Sequence, residues 1–241
     1  MKYPQATPFL RRSLGLVLLV LALSGCATGP DRRDPFEPFN RSVLKFNDEV
    51  DAAVLKPVAT AYQEYVPSPA RKAVSNVFSN LGDVWSMANS LLQFKFPQAA
   101  ESLMRVSINT VLGFYGILDI ATEAGLERHR EDFGQTLGYW GMPSGPYLVL
   151  PLLGPSTVRD ASAFVVDRRA DLVRQFDPES TRNGLYALRI VDTRAGYLRA
   201  GRLLEEVSLD RYTFLRDAYL QRRQAEIRDG EASGPPETKD E

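Results

Sequence analysis

Two side chains in this 241-residue chain stand out for covalent or metal chemistry, and each occurs once: Cys26 and His129. A single cysteine excludes an intrachain disulfide, so the fold must rest on burial rather than cross-links. His129 lies in a charged run, Glu127-Arg128-His129-Arg130-Glu131-Asp132, as an exposed loop histidine would. A serine–histidine relay would have to use that one imidazole, and no Gly-x-Ser-x-Gly turn accompanies it. The sequence also lacks a Gly-Lys-Ser/Thr loop for a nucleotide. Asp132-Phe133-Gly134 spells a kinase metal motif without the glycine-rich loop or the His-Arg-Asp that such a site needs. No cofactor and no metal ligand set is expected, and hydrolysis and phosphoryl transfer are disfavoured.

The context of Cys26 suggests a different chemistry. Residues 1–13 carry Lys2, Arg11 and Arg12 and no acid, and residues 14–23 are an apolar run. That order is a secretory signal, expected over residues 1–25. The run is too short to span a bilayer, which needs ~20 apolar residues. Leu23-Ser24-Gly25-Cys26 resembles a bacterial lipobox. The resemblance implies a diacylglycerol thioether on Cys26, cleavage before it, and acylation of the new amino terminus. Two or more acyl chains hold a protein at a membrane almost permanently. Ala27 in place of an aspartate implies sorting to the outer membrane. Three of the 29 basic residues leave with the signal and none of the 30 acids, which puts the net charge near −4 and argues against a general nucleic-acid binder.

The remaining 216 residues must position whatever chemistry the chain has. Residues 26–34 read as a short polar tether, 35–228 as one helical domain, and 229–241 as a disordered tail with five acids and one lysine. Apolar residues at Phe36, Phe39, Val43, Phe46, Val50, Val54 and Val58 recur at helical spacing, with Pro57 expected to kink or end the helix. Further helices are predicted from a Ser68 cap toward Gly82, over 84–94, 98–112 and 117–124, from Ser156 or Thr157 to Asp171, over 185–206, and from Ser208 or Asp210 to 228. Strand-like alternation is scarce and its best candidate, Tyr147–Leu150, is bracketed by Pro146 and Pro151, so the fold class is all-α with no substantial sheet.

Two patterns on these elements invite a functional reading. Asparagines recur inside predicted helices: Asn40 and Asn47 two turns apart, Asn76 and Asn80 one turn apart, and Asn109 one turn after Arg105. Asparagine is a poor helix-interior residue. Either the amides satisfy one another's helices, or with Phe46 they line a polar, lipid-accepting passage. Residues 138–155 carry no charge, four glycines and four prolines. That stretch is either a loop tucked beneath helices or a mobile apolar hairpin built on Gly141, Gly145, Tyr147, Leu150 and Pro151. The arginines at 216, 222, 223 and 228 read as a solvated basic face or a docking surface for an acidic partner.

At these residues the chain resembles a known family, the MlaA/VacJ outer-membrane lipoproteins. The likeness opens at Asp34-Pro35-Phe36-Glu37 and continues through Asn40-Arg41, Phe46-Asn47, Asp51 and Pro57. It passes Tyr65-Val66-Pro67, Pro69-Ala70-Arg71, Asn76, Asn80-Leu81, Leu92-Gln93, Arg105, Asn109, Gly113, Gly116 and Asp119. It is densest from Phe133 to Gly138, then at Gly141, Gly145-Pro146-Tyr147, Pro151, Gly154 and Arg159-Asp160. The stretch from 161 to 184 is least similar. The resemblance implies a ring of amphipathic helices around a central channel, lying in the inner leaflet of the outer membrane. It implies removal of misplaced outer-leaflet phospholipids, their transfer to a periplasmic lipid carrier, and association with a trimeric porin.

Overall fold

A computed structural model describes residues 33–201 and 210–228. The expected signal, Cys26, the tether up to residue 32, the acidic tail and part of the predicted 185–206 helix lie outside the described residues. Helices dominate: α1 (Glu37–Val50), a π-helical turn (Asp51–Leu55), α2 (Lys56–Tyr65), α3 (Ser68–Leu92), α4 (Phe96–Val111), α5 (Ile120–Glu123) and α6 (Phe133–Tyr139). A small antiparallel hairpin follows, β1 (Tyr147–Leu150) and β2 (Gly154–Thr157), with Tyr147 opposite Thr157. Then come α7 (Val158–Ala170), a 3-10 turn (Leu172–Gln175), α8 (Glu179–Gly196) and α9 (Arg211–Ile227).

The local chemistry explains several departures from the sequence reading. Pro57 does not end its helix. Proline has no N–H and its ring crowds the carbonyl four residues back. The π turn just before it widens the ladder, with the Lys56 N–H reaching Asp51 O, and the chain stays helical to Tyr65. The N-cap before α3 is Pro67 rather than Ser68, and α3 runs unbroken through Gly82 for 25 residues. Thr157 and Asp210 do cap their helices, accepting from the Asp160 and Tyr212 N–H groups. The prolines at 146 and 151 sit just outside β1, where they remove no ladder hydrogen bond, so the strand forms.

Contacts close into a ring: α1 to the hairpin, the hairpin to α7, then α6, α3, α8, α2 and through the π turn back to α1. The ring is inverted relative to an ordinary soluble domain. Among the described residues, ten hydrophobic side chains are buried against 21 polar or charged ones. On α1, Asn40 is buried while Phe39 and Phe46 are about half exposed; on α4, Arg105 and Asn109 are buried while Leu103, Met104 and Val111 face out. Buried polar groups and large exposed apolar surface are both informative departures from the rule. No helix among the described residues is long and apolar enough to cross a membrane.

Candidate functional site: a charged chamber beside an apolar groove

The predicted asparagines all sit at joints of the ring. The Asn40 Nδ2 donates to Tyr147 O (3.0 Å) and Asp34 Oδ1 (2.9 Å), and its Oδ1 accepts the Val149 N–H at 2.9 Å. Asn47 repeats the clamp one heptad on, donating to Leu150 O at 3.0 Å and accepting from Leu152 N–H at 2.7 Å. Two amides on one helix face thus act as an extra strand for the free edge of β1. Asn76 donates to Ile117 O, Asn80 to Thr110 Oγ1, and Asn109 accepts from Ala121 N–H and donates to Asp119. Asp34, expected at the end of the tether, is fully buried and accepts from Asn40 and the Tyr212 hydroxyl.

Of the loop candidates, Tyr147 is buried against Tyr212 and Tyr219, Leu150 is half-buried, and Gly141, Gly145 and Pro151 are exposed. Beyond Pro151, Leu152 and Leu153 project outward. The stretch is therefore tucked in at one end and bare at its tip.

Buried ion pairs fix the inner wall. Arg105 is fully buried; it donates to Leu126 O (2.5 Å), Asp119 Oδ1 (2.9 Å) and Thr122 Oγ1 (3.0 Å), with Asp83 Oδ2 at 3.4 Å. Burial pushes the Asp83 carboxyl above the usual range even with Arg128 and Arg105 beside it. Of the basic cluster on and just after α9, Arg216 and Arg223 turn inward while Arg222 and Arg228 stay exposed. Arg223 forks onto Asp132 (2.7 and 2.5 Å) and reaches Asp160 at 3.1 Å; Arg216 pairs with Asp34 and Asp217. Burial acts to raise Asp160, but Arg223 and Tyr219 outweigh it and its pKa falls. Gly134 makes this closeness possible, since a Cβ there would lie 2.5 Å from both Arg223 Nη2 and Asp160 Oδ1.

Beside these joints opens a chamber of about 670 Å³ bounded by α3, the 128–132 segment, α7, the 3-10 turn and α8. Its wall is mixed. Phe78, Trp85, Phe164 and Leu172 supply apolar surface, while arginines 128, 130, 168 and 189 face aspartates 83, 132, 167, 171 and 192. Some charges are paired: Arg189 forks onto Asp171 at 3.2 and 2.5 Å. Asp192 accepts from the Tyr62 hydroxyl at 3.1 Å and is pushed up by burial. Next to the chamber lies a wholly apolar groove of about 310 Å³, lined by Val74, Val77, Ile117, Phe176, Leu185 and Leu188. Phe78 and Leu81 line both spaces, so one wall of α3 divides oil from charge.

None of the sequence-predicted passage residues (Asn40, Phe46, Asn47, Asn76, Asn80, Asn109) lines this chamber. The residues that do were not singled out. Charges fall all around α7, Val158–Ala170, so no periodicity marks a chamber face. The available signal was that absence: a helix with no apolar stripe must bury charge or face water. His129 does not itself line the chamber, although Arg128 and Arg130 on either side of it do; its Nε2 lies 2.8 Å from Glu101 Oε2. No group of three His, Cys, Asp or Glu side chains among the described residues could hold a metal.

The fold is a helical ring that exposes large apolar side chains and carries a pocket lined by charged residues. The chain belongs to the MlaA lipoprotein family, which matches it over residues 32–226. It is 37% identical over 215 residues, 87% of this chain and 84% of the relative, to the intermembrane phospholipid transport system lipoprotein MlaA of Shigella flexneri. It is 34% identical over 231 residues to the protein so named in Haemophilus influenzae, 90% of each chain. A solved structure described as "Structural basis for maintenance of bacterial outer membrane lipid asymmetry" superposes with a TM-score of 0.72 at 36% identity, covering 81% of this chain and all of the other.

Proposed function

We propose that this protein is an outer-membrane lipoprotein, anchored through Cys26 on the periplasmic side. It removes phospholipids misplaced in the outer leaflet and passes them through the chamber to a soluble periplasmic carrier. The observation that carries the reading is the inverted ring, with apolar side chains outside and a charged chamber sharing one wall with an apolar groove. A two-tailed phospholipid has ~30 methylenes, and exposing them to water costs on the order of 20 kcal/mol. Dragging the head group through hydrocarbon is also costly. A route that is oily on one side and charged on the other avoids both penalties. Neither the fold nor the family points to catalysis, and direction must come from the carrier and whatever empties it. A trimeric porin would hold the ring in place.

Four bulky residues sit at turns in the left-handed region, Phe94, Phe114, Tyr115 and Leu152, with φ between 52° and 63°, and all are 63–83% exposed. Such a conformation costs roughly 1–2 kcal/mol for a residue with a Cβ. Large side chains held there and largely exposed fit a bilayer surface. Tyr115→Gly should leave thermal stability unchanged or slightly raised. It should weaken partition of the protein into phospholipid vesicles about tenfold, the loss of one buried aromatic side chain.

The test is complementation. Cells lacking their own family member and expressing this chain should recover low outer-leaflet phospholipid. Cys26→Ala should fail to restore it, and His129→Ala should restore it fully. If the chain instead restores porin levels with no change in outer-leaflet phospholipid, it is a structural lipoprotein and the conduit reading is overturned.

A further inference from the structure

The charges in the chamber are not all satisfied, and the unsatisfied ones are of both signs. Asp167 on α7 accepts the Trp85 indole N–H at 2.8 Å and the Phe133 N–H at 2.9 Å, both on Oδ1. Its Oδ2 has no hydrogen-bond partner and no ion pair among the described residues, and Arg223 acts on the carboxyl only as a nearby charge. Burial, first of all, holds this carboxyl above its ordinary range, and the nearby Asp132 adds to that. Arg130 also lines the chamber, three residues before Phe133, and its guanidinium makes no hydrogen bond or ion pair among the described residues. Arg168, next to Asp167 in sequence, sits with its guanidinium carbon 3.9 Å from the Tyr186 ring centre and is paired only loosely, with Asp171 at 4.0 Å. The same chamber thus offers guanidinium donors suited to a phosphate and a carboxylate oxygen suited to an ammonium.

We propose that the chamber selects phospholipids with a zwitterionic, primary-ammonium head group: Arg130 and Arg168 take the phosphate and Asp167 takes the ammonium. The inference rests on the lipid-passage reading above and adds which lipid is favoured and which residues favour it. A lipid with an uncharged alcohol on its phosphate would satisfy the arginines and leave Asp167 unpaired. The apolar groove that shares Phe78 and Leu81 with the chamber takes the acyl chains. A half-buried ammonium–carboxylate hydrogen bond supports a preference of about tenfold.

The acylated full-length protein is incubated with vesicles of equal parts phosphatidylethanolamine and phosphatidylglycerol with matched chains, reisolated, and its bound lipid quantified by mass spectrometry. The wild type should carry the two lipids in a ratio about ten times that of the vesicles. Asp167→Asn should bring the ratio to that of the vesicles without lowering total lipid. The asparagine Oδ1 still accepts both N–H groups, so the variant should melt with the wild type. Arg130→Gln should lower both lipids alike. Lipid recovered from the wild type without preference, or a preference that survives Asp167→Asn, overturns this assignment and leaves the conduit standing. No lipid recovered from the wild type overturns the conduit itself.

Discussion

Gly82→Trp should abolish lipid removal and leave the protein at least as stable as the wild type. Gly82 lies in the middle of α3 on the chamber wall, and a Cβ built there meets nothing within 4 Å. A glycine inside a helix costs roughly 0.5–1 kcal/mol relative to alanine, because it loses more backbone freedom on folding. Any side chain there relieves that penalty, and an indole projects into the space a head group needs. The expected signature is a melting temperature that does not fall, with outer-leaflet phospholipid as high as in cells carrying no functional copy. Ordinary loss-of-function variants lose stability together with activity. Normal lipid removal by a well-folded Gly82→Trp protein would mean that lipid travels by another route.

The largest loss of stability should come from Arg105→Met. The side chain is fully buried and its guanidinium compensates Asp83 and Asp119 while satisfying Leu126 O. Methionine matches the stem and takes away the fully buried cation, leaving Asp83 and Asp119 to the more exposed Arg128 at 3.3 Å from each. Removing one partner of a buried pair costs about 3–5 kcal/mol, or a fall of about 10 °C in the melting temperature for a domain of this size. The sign of the pH dependence follows from Asp83. Its folded pKa already stands above the unfolded value, so its charged form opposes folding and its neutral form does not. Without Arg105 the shift grows, and the stability deficit should shrink as pH falls through the carboxylate range. Thermal melts of both proteins at pH 7 and pH 5 measure it. A deficit that widened on acidification would mean that Asp83 is not the group left exposed by the substitution.

The general form of the molecule was readable from the sequence, whereas its partnerships were not. Spacing placed Asn40 and Asn47 on one face of one helix, and the structure uses that face as a unit. What it clamps, the edge of β1, lies more than 100 residues away in sequence, and no periodicity announces it. The same distance hid the acids that turn Arg216 and Arg223 inward: Asp34, Asp132 and Asp160 come from three separate segments. Caps that act locally were legible, as at Thr157 and Asp210. Where a neighbour compensates for a local rule, the rule misled; the π turn absorbs Pro57, and the length of α3 overrides Gly82. The chamber was least visible, because Arg130, Asp167 and Asp192 are ordinary surface residues in composition and become a wall only when the ring closes.

Photo-cross-linking from position 79 shows whether lipid occupies the chamber in cells. Ser79 lines the chamber, and Glu179, whose side chain is 77% exposed at the start of α8, serves as the control. A photoreactive residue replaces each in turn in cells, and adducts on the purified protein are identified by mass spectrometry. Phospholipid adducts are expected from position 79 and none from position 179. A folded protein that clears outer-leaflet lipid yet yields no phospholipid adduct from position 79 would contradict it.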